Sequence, residues 1–208
     1  MQFSSGGSQL RASDAALRAM FSARKRVFVD MLRWNVPVLA DAYELDQFDT
    51  PEASYVVLTD GDSAHRASAR LLRTDGPHIL RDLFPMLCAG PVPQRPDYRE
   101  ITRFCIEPTL PRCDRRKARN QLVSALVDNA LETGLSGYTA VAGPSWYRQI
   151  ANFGWNCRPL GEEQIIGPET LIALQIDIAA DTPTALAETG VYARATYRIG
   201  GAKRELVL

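Results

Sequence analysis

The chain has little of what metal and redox sites usually need. Its 208 residues include two histidines, His65 and His78, and four cysteines at positions 88, 105, 113 and 157, with no C-x-x-C pair among them. This argues against a zinc site, and no metal is expected. Neither histidine stands in a nucleophile context, which argues against a His-dependent triad. The cysteines read as buried, reduced thiols. Long apolar runs are missing too: no stretch reaches the roughly 18 residues of a spanning helix. The start, MQFSSGGSQLRASD, lacks the charged-then-apolar order of a secretory signal. A cytoplasmic protein with no membrane partner is expected. Net charge is absent as well. Lys plus Arg equals Asp plus Glu at 24 each, so no global field favours nucleic acid or an anionic membrane. Charged recognition must therefore be local. Internal repeats and low-complexity blocks are absent, which excludes a solenoid or a long linker.

What is present is the composition of a globular chain, 46% hydrophobic and 23% charged. The length suits one domain over residues 1–208, with residues 1–10 as a flexible lead-in. SDAALRAMFSARKRVFVDML opens on a Ser-Asp cap signal and predicts one or two short helices. The region after LRWNVP is expected to be irregular and partly mobile. SYVVLTD and HRASARLLRT read as a hairpin turned at GDS, and REITRFCIEP as a further alternating strand stopped by Pro108. GPHILRDLFPML reads as a short helix amid loop. RRKARNQLVSALVDNALETGLSG puts Leu122, Val123, Leu126, Val127, Ala130 and Leu131 on one helical face before a glycine stop. YTAVAG is a strand, PSWYRQIANFG a helix opened by proline and closed by glycine, TLIALQIDI a long strand and TPTALAETG a last helix. The order implies a three-layer α/β fold, with a mixed central sheet covered by helices on both faces.

One stretch poses a chemical question. YELDQFDTP, residues 43–51, holds Glu44, Asp46 and Asp49 within six residues. Acidic residues beside Thr-Pro often mark a solvated loop. In extended backbone, however, Glu44 and Asp46 share one face, and two carboxylates so close need a cation between them. A calcium loop wants more oxygen ligands and a glycine at fixed spacing, so arginine or a cationic substrate is the better partner.

The segments RKRVF (Arg24 to Phe28), Trp34, ELDQFD (Glu44 to Asp49), RLLRTDGPHIL (from Arg70) and EITRF (Glu100 to Phe104) come in one order. As a set, over residues 15–180, they resemble the acyl-homoserine lactone synthases, the autoinducer synthase family. The resemblance implies an N-acetyltransferase-like fold and a cytoplasmic enzyme. It implies S-adenosylmethionine as a substrate rather than a cofactor, with no other cofactor. The acyl donor would be an acyl carrier protein thioester or an acyl-CoA. The product would be a quorum-sensing N-acyl-L-homoserine lactone, and methylthioadenosine would leave.

The residues fit that chemistry. S-adenosylmethionine carries a sulfonium, an ammonium and a carboxylate. Phe28 and Trp34 offer π-faces to its adenosine and sulfonium end, although both also read as core aromatics. Arg24, Arg70 and Arg103 suit bidentate carboxylate contacts, with protein or with substrate; the resemblance counts Arg70 with the catalytic residues and Phe104 of EITRF with the S-adenosylmethionine site. Glu100 is the first choice of general base, through a water, with Asp46 second. Backbone N–H groups just after EITRF are placed to stabilise the thioester oxyanion. Leu122, Leu126, Val141, Ala142, Trp146 and Leu174 are assigned to the acyl pocket, and each also reads as plain core. Arg115, Arg116, Lys117 and Arg119 oppose the dipole of their own helix start, which an external anion explains; Arg148 joins them in carrier docking. Ala142 and Gly143 stand where relatives that prefer 3-oxo chains carry threonines, which argues against a 3-oxo group. Two rivals remain on the sequence alone: another N-acyltransferase of the same fold, and a non-catalytic acyl-carrier-binding module. The first would more naturally carry a glycine-rich pyrophosphate loop before the main helix, and RCDRRKARNQ contains no glycine.

Overall fold

A computed structural model describes residues 6–60 and 64–200. The chain opens with helix α1 (Gly6–Arg24), which runs without a break into a π-helical turn, Lys25–Met31. Residues 6–10 of the expected lead-in fall within α1, and residues 1–5 lie outside the described residues. The Ser-Asp pair at 13 and 14 falls inside α1 and does not start it. After the wide turn the backbone folds back: the Leu32 amide donates to the Val27 carbonyl (2.9 Å) and the Trp34 amide to that of Phe28 (2.8 Å).

The stretch expected to be irregular contains a small hairpin of β1 (Val38–Leu39) and β2 (Tyr43–Glu44). Its turn places Ala40 and Asp41 at φ of 51° and 53°. Two-residue strands give no period-2 signal, and Ala-Asp is not the Asn-Gly pair that usually marks such a turn.

The main sheet contains β3 (Ser54–Thr59), β4 (His65–Arg73), β5 (Tyr98–Ile106), β6 (Gly137–Ala142), β7 (Asn156–Pro159), β9 (Glu169–Asp177) and β10 (Arg198–Gly200). The order is β10-β3-β4-β5-β6-β9-β7, with β8 (Gln164–Ile166) paired to β9. Among the described strands only β5 and β6 run parallel, joined by the crossover helix α3 (Arg112–Thr133), which ends at Gly134 with φ 69°. Three strands, β7, β8 and β10, were not expected; they are short and largely exposed or terminal, and carry no clean alternation. Helix α2 (Ile79–Asp82) sits between β4 and β5 in sequence. Helix α4 (Pro144–Ala151) stops three residues before the expected glycine, and α5 (Thr182–Glu188) follows β9.

The alternation of β4 sorts the two faces. Ala67, Ala69 and Leu71 pack with Leu122, Leu126 and Ile150 from α3 and α4, together with Leu186 of α5. Leu72 packs the other way, with Met20 of α1 and Ile79 of α2. The result is the expected three-layer arrangement with a mixed sheet in the middle. Among the described residues no helix is long and apolar enough to cross a membrane.

Two irregularities of β5 shape the centre of this sheet. First, the β4–β5 ladder shifts register between Ser68↔Cys105 and Arg70↔Thr102, so Arg103 and Phe104 together oppose Ala69. This is a β-bulge, and Arg103 occupies it with φ 49°. The expectation of a uniformly alternating strand is corrected here: Ile101, Phe104 and Ile106 face α3, whereas Cys105 packs with Ala23, Val27 and Phe28 on the α1 side. Second, the β5–β6 register runs from Tyr98↔Gly137 to Ile101↔Ala140 and goes no further. The two strands therefore part at the bulge.

The parallel pair also depends on one missing side chain. A Cβ on Gly137 would collide with the Ile176 carbonyl oxygen and meet the Tyr98 ring at 2.9 Å. That ring cannot give way freely, because its hydroxyl donates to Asp177 (2.6 Å) and accepts from Gln175 (3.2 Å). The variant G137A is expected to lose about 2 kcal/mol or more of stability, read as a Tm roughly 4–8 °C lower in thermal unfolding.

Candidate active site

Arg24 and Arg70 are among the largest fully buried side chains of the protein. Burying a guanidinium costs several kcal/mol unless it is paired and hydrogen-bonded, so what surrounds them has to be accounted for. Arg24, at the end of α1, donates from Nε to Glu44 (2.6 Å) and through both Nη atoms to Asp49 (2.8 Å each). Arg70, on β4, donates to both oxygens of Asp46 (2.6 and 3.0 Å), and its Nε donates to the Thr102 hydroxyl (2.9 Å). Its Nη1 also lies 2.9 Å from Asp49. Arg103, in the bulge, reaches Glu44 (2.9 Å) and Asp46 (2.7 Å).

These contacts close on themselves. The sequence Arg24, Glu44, Arg103, Asp46, Arg70, Asp49 and back to Arg24 is a ring of alternating charge, neutral as a whole. The question posed by the acidic stretch is answered: its cations are the protein's own arginines. Burial would raise the Asp46 carboxyl, but hydrogen bonds from Arg70 and the charges of Arg70 and Arg103 outweigh it and hold it below its usual range. Asp49 is lowered in the same way against burial, by Arg24 and Arg70. Burial opposes the charge on Arg24 and Arg70, yet the carboxylates prevail and both are raised. The Tyr55 hydroxyl donates to Asp49 (2.8 Å). Tyr55 and Thr102 extend the network, and sequence reasoning missed both. Nothing in the spacing marks them, since each is one polar position on an ordinary strand.

Glu100 lies on β5 outside the ring and belongs to a different environment. It is fully buried, and its two oxygens accept from the backbone amides of Ile79 (2.7 Å) and Leu80 (2.8 Å) at the start of α2. Burial raises its pKa to about 7, the two amide hydrogen bonds and Arg70 countering only part of that shift.

The predicted aromatics come together over the ring. Phe28 and Trp34 stack with centroids 4.8 Å apart, and the Arg103 guanidinium lies 5.5 and 5.7 Å from their ring centres. Phe28 is buried, whereas Trp34 is 40% exposed and open to a ligand.

On the other face of the sheet, Phe104 leaves the bulge to meet Trp146 (5.3 Å), which meets Phe153 (5.8 Å), which meets Trp155 (5.7 Å). Leu122, Leu126, Ala142 and Leu174 are buried in the same cluster. Val141 is the exception among the residues assigned to the acyl pocket. It points to the reverse face and packs with Leu80, Leu87 and Ala173, because successive residues of β6 alternate sides.

The basic residues border two adjoining depressions of about 500 and 480 Å³. Arg116, Lys117 and Arg119 line the first and Arg119 and Arg148 the second, and neither lining includes a carboxylate. Arg119 also sits 5.0 Å above the Phe153 ring, which joins this groove to the aromatic ladder. Arg115 is not part of the lining: its guanidinium donates to the Pro108 carbonyl (3.3 Å).

Known proteins resemble the chain along nearly its whole length. The profile of the autoinducer synthase family matches residues 8–186. An acyl-homoserine-lactone synthase of Ralstonia nicotianae is 34% identical over 196 residues, covering 90% of this chain and 94% of its own. One of Rhizobium radiobacter is 29% identical, covering 79% and 80%. Among solved structures, TofI in a ternary complex with an inhibitor and MTA superposes with a TM-score of 0.70 at 29% identity, over 83% of this chain and 90% of that one. The AHL synthase LasI gives 0.72 at 25% identity, over 84% and 89%. In fold alone, an acyl-CoA N-acyltransferase from Pseudomonas aeruginosa gives 0.51 at 15% identity, over 76% and 88%. The chain belongs to the autoinducer synthase family, acyltransferases whose curated relatives are acyl-homoserine-lactone synthases.

Proposed function

We propose that this protein makes an N-acyl-L-homoserine lactone in the cytoplasm from S-adenosylmethionine and an acyl thioester, with no separate cofactor. The observation that carries the reading is the convergence of four elements at one place: the closed ion ring, the Phe28–Trp34 stack, Glu100, and the gap where β5 and β6 part. The bound MTA of TofI, a relative at 29% identity, supports methylthioadenosine as the leaving product.

In this reading the ring is scaffold. Its arginines are occupied by Glu44, Asp46 and Asp49, so it fixes the floor on which the Phe28–Trp34 stack receives the sulfonium and adenosine end. Glu100 is the general base, acting through a water. Its pKa of about 7 suits a group that must take a proton from the substrate ammonium near neutrality. Asp46 is the poorer choice, because pairing with Arg70 and Arg103 keeps it ionised and weakly basic. The freed amine attacks the thioester carbonyl, whose oxygen is met by backbone N–H groups of β5 beyond Ile101, and the thiol leaves. The substrate carboxylate then attacks the carbon beside the sulfonium. That C–S bond breaks, and methylthioadenosine departs as a neutral thioether. Phe104 and Trp146 border the acyl chain, and small Ala142 and Gly143 favour a chain without a 3-oxo group. The groove of Arg116, Lys117, Arg119 and Arg148 docks an acidic carrier protein and the phosphate of its arm.

Purified protein given S-adenosylmethionine and a panel of acyl-carrier and acyl-CoA thioesters is expected to yield acyl-homoserine lactone and methylthioadenosine together by mass spectrometry. Thioester loss without methylthioadenosine would point to a different amine acceptor. No turnover with any donor would favour a binding module.

For E100Q, kcat is expected to fall about 100-fold or more, with the KM for S-adenosylmethionine little changed. The wild-type rate rises with pH through about 7 as Glu100 loses its proton, and this limb disappears in the variant. An unchanged limb would remove Glu100 from the role. Because Gln keeps only one acceptor oxygen for two amides, Tm is measured alongside.

Charge reversal at Arg116 and Arg148 is expected to raise the KM for acyl-carrier thioesters at least tenfold and to flatten its salt dependence, leaving kcat nearly intact. Opening the ring is a stability matter. D49N leaves Arg24 and Arg70 short of a buried counter-charge and is expected to cost about 3–5 kcal/mol in denaturant unfolding. Because Asp46 and Asp49 are depressed in the folded state, their contribution is complete above the usual carboxylate range and is lost as pH falls toward their lowered values.

A further inference from the structure

Three buried side-chain atoms find no hydrogen-bond partner among the described residues: His65 Nδ1, His78 Nε2 and Thr139 Oγ1. Thr139 stands apart from the two histidines by its position. In the β5–β6 register it is the partner of Glu100, and in the β6–β9 register the partner of Gln175. It is fully buried, and strand geometry puts all three side chains on one face of the sheet. The Gln175 NH2 group is already committed, donating to Tyr98 (3.2 Å) and Asp177 (2.7 Å). The Glu100 oxygens each accept one backbone amide, and a carboxylate oxygen has room for a second donor. A buried hydroxyl left unmade costs about 1–3 kcal/mol, so an unpaired threonine beside a buried carboxylate calls for a use.

We infer that Thr139 is a positioning residue for Glu100: hydroxyl and carboxylate together hold one buried water, whose hydrogen bond favours the ionised carboxylate. The other groups facing Glu100 are Arg70 from β4, which favours the charge, and Asp82 from α2, which opposes it, along with the Ile79 and Leu80 amides. Thr139 is the donor that β6 contributes. Valine at this site keeps the shape and removes the hydroxyl, so the carboxylate would lose one hydrogen bond to its charged form and hold its proton to higher pH.

The role of this water in turnover rests on Glu100 being the base, but the inference itself does not need activity. The test is a carbon-13 NMR titration of protein labelled at glutamate carboxyls, with the Glu100 signal assigned by its loss in E100Q. In T139V the Glu100 midpoint is expected to rise by about 0.5–1 pH unit, a roughly three- to tenfold gain in proton affinity. T139S, which keeps a hydroxyl, is expected to titrate like the wild type. A T139V midpoint equal to wild type overturns the inference, all the more so with a raised Tm, which would mark the hydroxyl as a plain unpaired group. Should T139V not fold, T139A is titrated against T139S in its place. The pH–rate profile then separates the two claims. If the NMR midpoint moves and the rate limb moves with it, both hold. If the midpoint moves and the limb stays, Thr139 still tunes Glu100, and it is the assignment of Glu100 as base that fails.

Discussion

The active side of the sheet depends on the closed ring of Arg24, Asp49, Arg70, Asp46, Arg103 and Glu44. A buried ion pair is seldom a net source of stability, because desolvation of both partners offsets their attraction. A ring changes the balance. Each guanidinium faces two carboxylates and each carboxylate two guanidinia, so no charge is left to be neutralised by water. The same closure ties α1, β2 and the loop after it, β4 and β5 together at one point. The aromatic stack of Phe28 and Trp34 can then rest on a fixed guanidinium, and in the proposed function this floor positions the substrate groups.

Two kinds of carboxylate lie on this one face and are pushed in opposite directions. Asp46 and Asp49, paired with arginines, are held ionised. Glu100 is offset by backbone amides and a more distant Arg70, and it stays close to neutrality. Environments that drive like groups apart are how one site assigns separate duties, which in the proposed reaction are scaffold and proton acceptor. The barrier between the two is short in sequence and in space: Glu100 and Thr102 are neighbours on β5, and Thr102 already accepts from Arg70.

Much of this was legible in the residues. The apolar face of α3, the β3–β4 hairpin and the β6–α4 unit announced themselves by periodicity and by Pro and Gly punctuation. The acidic run asked for arginines, and the ordered motifs indicated which ones. The rest was hidden for identifiable reasons. The β1–β2 hairpin is too short to alternate and turns on Ala40 and Asp41. The π-helical turn conforms to a helical pattern and differs only in its winding. Val141 was assigned by its neighbours in sequence, though strand alternation sends it to the opposite face from Ala142. Tyr55 and Thr139 acquire meaning only from what the sheet register sets beside them.

The bulge in β5 is also a matter of counting. From Glu100 to Ile106 the side chains read in, out, in, then Arg103 in again, then out, in, out. Strike out Arg103 alone and every remaining residue keeps its side: Glu100, Thr102 and Cys105 on one face, Ile101, Phe104 and Ile106 on the other. The strand is complete without it. Arg103 behaves as an insertion into a finished ladder, added without disturbing the core on either side. Its left-handed backbone, at φ 49°, is where that extra residue is accommodated. The last cation of the ring is thus set by a change in the number of residues in the strand, a kind of edit that substitution at fixed length cannot reproduce.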